Sequence, residues 1–373
     1  MSNFYEKSKE FAVQYILPYA KEIDEKAIFP EESFKQIGKN GYFKLLIPKE
    51  LGGLGGNIKD HSDVVMAFAS SCATAGLCYM MHNVALMCVL NYGSKELKEK
   101  ICKEVVEDEI FLALAYSEFG TGTHFYKPEI KAEFNGDKVK FNGQKSMVTS
   151  ATHASYYAVL APSEKEGIDN WLFPLNSGIK FKTNSWNGLG MRGNVSCPMS
   201  IDNVTLDKFY RIGKSGSGAN QVFETVAPYF VIGLASVYSG LCQNVLNYAV
   251  EKSTSRKYPD GSNLASIETV QIHLSQIYAD TAAAVSLTQT AANSYLNGEA
   301  DALAKILAAR IKASLSAIEL STIAMKIGGG KAYNKEGIIE RLLRDSFAGQ
   351  IMAPSVDVLK VWLGKAITNQ QIP

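Results

Sequence analysis

"AEFNGDKVKFNGQKSMVTSATHASYYAVLA", residues 132–161, separates two stretches of different texture, and its reading decides the fold. Its apolar residues alternate in short segments, punctuated by Asn135-Gly136 and Asn142-Gly143. Alternation puts successive side chains on opposite faces of a strand, and Asn-Gly supplies the positive φ of a tight hairpin turn. The stretch therefore predicts paired β-strands, with both Asn-Gly pairs as turns. "IKFKTNSW" (179–186) and "CPMSIDNVTL" (197–206) carry the same texture to about Leu206.

On either side the period is helical. "SFKQIGKNGYFKLL" (33–46) has three-to-four spacing and breaks at Gly41, and "SKELKEKICKEVVEDEIF" (94–111) is amphipathic. "DHSDVVMAFASSCATAGLCYMMHNVALMCVLNYG" (60–93) is apolar almost all round, as a buried helix is. From Ala219 the helical period returns, and no proline interrupts the chain between Pro259 and Pro354. Ile267, Val270, Leu274 and Ile277 are expected on one helix face. The order predicts an α+β chain of three domains: helices over 1–112, strands over 113–218, long helices over 219–373.

At 373 residues the chain suits two or three domains rather than one core. With 38 basic and 37 acidic residues it has no charge excess that argues for nucleic acid. No uninterrupted apolar run approaches a membrane span, and the start "MSNFYEKSKEFAVQY" lacks a signal-peptide core. Cys72, Cys78, Cys88, Cys102, Cys197 and Cys242 show neither CxxC pairs nor metal spacing, so reduced thiols in the cytoplasm are expected.

Other motifs are incomplete. "GKSGSGAN" (213–220) has a Gly-Lys-Ser, but Lys208 stands where the phosphate-binding loop needs its first glycine, so a linker is expected. His61, His82, His124, His153 and His273 include no pair at metal-ligand spacing, and His82 in an apolar helix reads as a satisfied core residue. No Gly-x-Ser-x-Gly elbow is present. "LALAYSEFGTGTHF" (112–125) runs from an apolar segment into a glycine-spaced, hydroxyl-rich loop of the sort that holds phosphate or the polar edge of a ring.

Taken in order, "YSEFGTGTH" (116–124), "NGQKSMVTS" (142–150), "GMRGNVSCPMSIDNV" (190–204), "RKYPDGSNLASIETVQ" (256–271) and "KIGGGKAYNKEGIIERLLRDS" (326–346) resemble the motifs of the acyl-CoA dehydrogenase family over almost the whole chain. The resemblance implies that family's fold: an N-terminal helical domain, a middle β-barrel-like domain and a C-terminal four-helix bundle. It also implies FAD, held at a subunit interface of a homodimer or homotetramer. Tyr116, Ser117, Met147 and Thr149 would border the flavin ring, and Thr123 would bond the pyrophosphate. Arg256 would reach a neighbouring subunit's pyrophosphate, Lys326, Gly329 and Gly330 the adenosine, and Ser355 would sit near the cofactor. Met147 reads equally as core, and Lys326 equally as a solvated helix residue. The sequence departs from the pattern at Phe119, His124, Met147, Glu268 and Lys326.

The family's usual reaction is α,β-dehydrogenation of an acyl thioester, in which a glutamate takes the α-proton while the β-hydride passes to flavin N5. Nine residues beyond Arg344, where most members carry that glutamate, stands Ala353. At the alternative position of a minority of members stands Tyr229 or Phe230, and a phenol of pKa about 10 is a poor base. The arginine that often follows on the thioester side is missing too.

Three readings follow. One is a dehydrogenase of an acyl thioester on CoA or an acyl carrier protein, whose base is Glu224, Tyr229 or the substrate itself. Its hydride would then leave a carbon bearing O or N, and its electrons would pass to an electron-transfer flavoprotein or oxygen. The second is a flavin-dependent monooxygenase, and the third a non-catalytic scaffold.

Overall fold

In the computed structural model, which describes residues 3–122, 124, 126–255, 257–335 and 337–372, helices come first. They are α1 (Asn3–Tyr15), α2 (Ala20–Lys26), α3 (Glu31–Lys39), α4 (Ile58–Ala69), α5 (Ala73–Tyr92) and α6 (Lys95–Glu107). Asn57 and Asp60 cap the start of α4 reciprocally: the Asn57 side chain accepts from Lys59 N and Asp60 N, and the Asp60 carboxylate accepts from Asn57 N at 3.0 Å.

The apolar stretch 60–93 is two helices, not one. Cys72 is extended at φ −150°, which ends the first helical path, and α5 then packs so closely on α4 that a Cβ at Gly76 would lie 2.8 Å from that of Ala69. Inside this layer His82 donates from Nε2 to Phe43 O at 2.8 Å and accepts Leu112 N–H at Nδ1, 3.1 Å away. Burial pushes its pKa down to about 4, which keeps the ring neutral and makes it the satisfied core histidine expected.

The middle of the chain forms β1 (Leu112–Leu114), β2 (Lys131–Asn135), β3 (Lys138–Val148), β4 (Tyr156–Pro162), β5 (Ile168–Pro174), β6 (Lys180–Phe181), β7 (Cys197–Asp207) and β8 (Arg211–Ile212). They make two four-stranded sheets, ordered β1-β4-β5-β8 and β2-β3-β7-β6, with β1 parallel to β4. Phe141 on β3 meets Trp171 and Phe173 of β5 edge-on, with ring centroids 5.0 Å apart in both cases, and this closes the two sheets on one core.

Asn135-Gly136 turns the β2–β3 hairpin, with Gly136 at φ +57°. Asn142-Gly143 does not turn. It is an irregularity within β3, where the register against β7 shifts, Asn142 Oδ1 accepts Asn203 N–H at 2.8 Å, and a Cβ at Gly143 would lie 2.6 Å from Ile130.

Past the linker 213–217, α7 (Gly218–Gln221) passes through a π-helical turn, Val222–Val226, into α8 (Ala227–Ser255). Pro228 has no N–H for the carbonyl of Glu224, and the Tyr295 hydroxyl donates to that carbonyl at 3.1 Å. Then come α9 (Glu268–Leu296), α10 (Ala302–Gly328), α11 (Ile338–Ile351) and α12 (Val356–Ile367). On α9, Val270 and Ile277 are buried and Leu274 half-buried, whereas Ile267 precedes the helix as its N-cap and is exposed.

By length and composition α5 and the helical segment 218–255 qualify as membrane spans, contrary to the sequence reading. In this fold 89% of each window is buried inside the protein, which accounts for the apolar composition.

Candidate active site

A cavity of about 390 Å³ lies where the sheets meet the C-terminal helices. Its sheet side is built by Tyr116 and Ser117 beyond β1, by Met147 and Thr149 at the end of β3, and by the loop carrying Gly190, Met191, Asn194 and Ser196. These segments are tied to each other: Ser146 N–H donates to Ser117 O at 2.8 Å, and the hydroxyls of Thr149 and Ser196 are 3.0 Å apart. The helix side comes from Met81 of α5, from Val226 of the π turn, from Ala227, Phe230 and Val231 at the start of α8, and from Met352, Ala353, Pro354 and Trp362. That side is wholly apolar apart from the indole N–H.

The stretch from Arg341 to Ser346 fixes the loop between the two sides. Arg344 grips Asp24 through both terminal nitrogens (2.9 and 2.5 Å), bonds Glu340, and donates to Leu189 O at 3.1 Å. Asp345 accepts Met191 N–H at 2.6 Å, and Gly190 lies so near Arg344 that a Cβ there would be 2.2 Å from its carbonyl oxygen. Met191 takes a left-handed φ of 50°, strained for its side chain and sustained by these contacts, and Val195 takes one of 47°, its carbonyl accepting Ala151 N–H and Cys197 N–H. Burial pushes the Asp345 carboxyl up to about 6, against the opposing pull of its bond from Met191 N–H and the charge of Arg341.

Of the residues expected at the flavin ring, Tyr116, Ser117, Met147 and Thr149 all line the cavity. Met147 is 58% exposed, which rules out the core reading. Ala353 lines the cavity as well, and Phe230 contributes an apolar ring. Tyr229 does not line it: its carbonyl accepts from His61 Nε2 at 3.1 Å, its ring packs towards Tyr295, and burial drives its phenol pKa further up, away from a base. Glu224, although on the π turn, is exposed and does not line the cavity, accepting from the Tyr92 hydroxyl at 2.8 Å.

Lys326, Gly329 and Gly330 are exposed at the end of α10 and do not border the cavity, so within one chain Lys326 is a solvated helix residue. Ser355 caps α12, accepting Val358 N–H at 3.5 Å, one residue past the cavity wall. Thr123 and Arg256 lie outside the described residues. Sequence reasoning missed Trp186, Ser196, Met81 and Trp362. The first two sit in or beside a quoted motif, whereas the spacing of the last two signals only core.

Among the described residues no carboxylate, imidazole, ammonium or guanidinium lines the cavity. Tyr116 is its one phenol, and that hydroxyl faces Cys88 Sγ at 3.9 Å, with burial and the neighbouring thiol both raising its pKa. One hydroxyl-bearing side opposite one apolar side suits a flat heteroaromatic ring with a polar edge.

Family models for the acyl-CoA dehydrogenase N-terminal domain, middle domain and C-terminal domain match residues 2–109, 113–204 and 217–367. The chain belongs to the acyl-CoA dehydrogenase family. It is thus a flavoenzyme of that type, typically with FAD, and Ser117, Thr149 and Met147 are the residues that would hold the ring.

Its relatives include the cyclohex-1-ene-1-carbonyl-CoA dehydrogenase of Geobacter metallireducens, 27% identical over 96% of this chain and 95% of that one. The 3-(aryl)acrylate reductase of Clostridium sporogenes is 30% identical over 91% and 90%. Among solved structures, the prolyl acyl carrier protein oxidase AnaB superposes with a TM-score of 0.89, at 21% identity over 98% of this chain and 97% of that one.

Proposed function

We propose that this protein oxidises a small acyl thioester at a carbon that bears nitrogen or oxygen, the acyl group being carried on CoA or an acyl carrier protein. The observation that carries this reading is Ala353 in the wall of a cavity that, among the described residues, has no carboxylate or imidazole. Abstraction of a carbon-bound α-proton requires a base within hydrogen-bond reach and of suitable pKa. Oxidation of an amine or alcohol asks far less of a base: hydride leaves the carbon, the heteroatom forms the new double bond, and its own proton passes directly to water.

When bound, the flavin supplies the two-electron acceptor. The chain's part is to hold the polar edge of the ring with Ser117, Thr149 and Ser196, and to press the acyl group against the apolar side. A cavity of about 390 Å³, which ring and acyl group would have to share, favours a short or single-ring acyl chain. The missing thioester-side arginine and the carrier-protein oxidase named above support a carrier-bound substrate.

Homo-oligomeric assembly, as dimer or tetramer, belongs to the same reading. Ile351, which lines the cavity at the end of α11, and Val361 and Ile367 on α12 are 78%, 58% and 67% exposed. Six free, buried cysteines suit a cytoplasmic setting. The electron acceptor from the reduced flavin is an electron-transfer flavoprotein or oxygen.

The test is anaerobic bleaching of the flavin band by panels of acyl-CoA and acyl-carrier thioesters. Aminoacyl or hydroxyacyl thioesters are expected to bleach it and saturated fatty acyl thioesters to leave it oxidised. Rapid bleaching by butyryl-CoA would sink the reading, and a product carrying an oxygen atom taken from O₂ would point to a monooxygenase.

A further inference from the structure

We propose that Glu118 and Lys145, neither of which lines the cavity, are positioning residues that hold its sheet side in register for the flavin ring. The inference rests on the flavin reading above and goes beyond it to residues that touch no ligand.

Lys145 on β3 is fully buried, and its ammonium donates to Glu118 Oε1 and to Leu160 O on β4, the latter at 2.9 Å. The second oxygen of the same carboxylate accepts Glu129 N–H at 2.6 Å, and the Glu118 carbonyl accepts the Thr121 hydroxyl at 3.4 Å. One carboxylate thus ties Glu118 to Glu129, eleven residues on, and one ammonium fastens that tie to two strands. Gly120 packs against Glu129 so tightly that a Cβ would lie 2.2 Å from its carboxylate.

The cavity residues are the immediate neighbours of this pair. Ser117 precedes Glu118, Met147 follows Lys145 by two residues, and Ser146 between them donates to Ser117 O. A shift of either charge therefore moves the two segments that face the ring.

Stability alone gives a weak reason for such a pair, because an apolar pair of similar volume usually serves as well once both charges are desolvated. Burial does oppose the Lys145 charge, bringing its pKa down to about 8, with Glu118 pulling the other way. What an apolar pair lacks is direction. A carboxylate accepting from a backbone N–H and an ammonium donating to a backbone carbonyl fix both segments at once.

The experiment compares wild type with Lys145→Met, Glu118→Gln and the doubly neutral E118Q/K145Q. It measures flavin dissociation from the fluorescence of released flavin well below the unfolding midpoint, and the midpoint itself. Each single change leaves a buried charge without its partner, and flavin affinity is expected to fall about ten-fold or more. The double variant, neutral and able to restore an amide–amide bond, is expected to regain most of it.

Single variants that bind flavin as tightly as wild type, with only the midpoint lowered, would reduce the pair to a prop for the fold and overturn the proposal. A double variant no better than the singles would overturn it too. If K145M fails to fold, E118Q decides, since it keeps an acceptor for Glu129 N–H. A wild type that takes up no added flavin would instead bring down the parent reading together with this one.

Discussion

On the sheet side of the cavity, Ser117, Thr149 and Ser196 present hydroxyls, and a buried ion pair and a net of backbone bonds stand behind them. On the helix side, Phe230, Val231, Met352, Ala353 and Trp362 present nothing that can take a proton. The contrast shows that two duties of such a site are physically separable. Holding a ring needs directed donors and acceptors distributed over several strands and loops. Taking a proton needs one group in one place, and a single alanine removes it without disturbing the rest.

The changes that break or sharpen this contrast fall in a definite order. The largest effect is expected from Ala353→Glu, which puts a carboxylate on the helix side. Positioned general bases contribute typically 10²–10⁴-fold, so exchange of the α-proton of a simple acyl-CoA with solvent should rise by about a hundred-fold or more. Mass spectrometry in D₂O reads this without turnover.

Next comes Gly190→Ala, on the loop between the sides. A Cβ there collides with the Arg344 backbone rather than with a yielding side chain, and destabilisation of about 3 kcal/mol or more is expected in urea melts.

A smaller effect attaches to Asp345. Its folded-state pKa, about 6, stands above the ordinary carboxylate value, so between pH 4 and pH 6 the folded state holds the proton that the unfolded state has released. The stability it contributes is full below pH 4 and is lost as pH rises through 6, by on the order of 2–3 kcal/mol. Unfolding of wild type minus Asp345→Asn should show that fall between about pH 4 and 6.5, and a pH-independent difference would contradict it. The smallest effect is expected from Tyr229→Phe and Glu224→Gln, neither on the cavity wall, with turnover changed by less than about two-fold. A large loss in either would return it to candidacy as the base.

Much of this was legible in the sequence because it is local. The switch from helical to strand period, the Asn135-Gly136 turn, Gly41 as a helix end and the core role of His82 each follow from a few adjacent residues. The break at Cys72 was not, since an apolar stretch buried on every face gives no periodic mark where one helix ends and another begins. Asn142-Gly143 misled for a related reason: the same dipeptide serves a turn or a strand irregularity, and the choice is made by Ile130 and Asn203, distant in the chain.

At the site, the motif residues Ser117, Met147 and Thr149 were found, whereas Met81 and Trp362 were not. Their role comes from the packing of α5 and α12 around the cavity. Tyr229 and Glu224 were raised as bases on position alone, and the direction each side chain takes from α8 and the π turn removes both from the cavity wall.

The central claim is that, among the described residues, no base for a carbon-bound proton lines the cavity. Its most direct test is to incubate the wild-type flavoprotein anaerobically in D₂O with a saturated acyl-CoA and follow deuterium at the α-carbon. The account predicts incorporation no faster than in buffer, alongside flavin bleaching by an aminoacyl or hydroxyacyl thioester. Rapid deuterium uptake by the saturated thioester would contradict it, and would show that a proton acceptor reaches the cavity from elsewhere in the assembly.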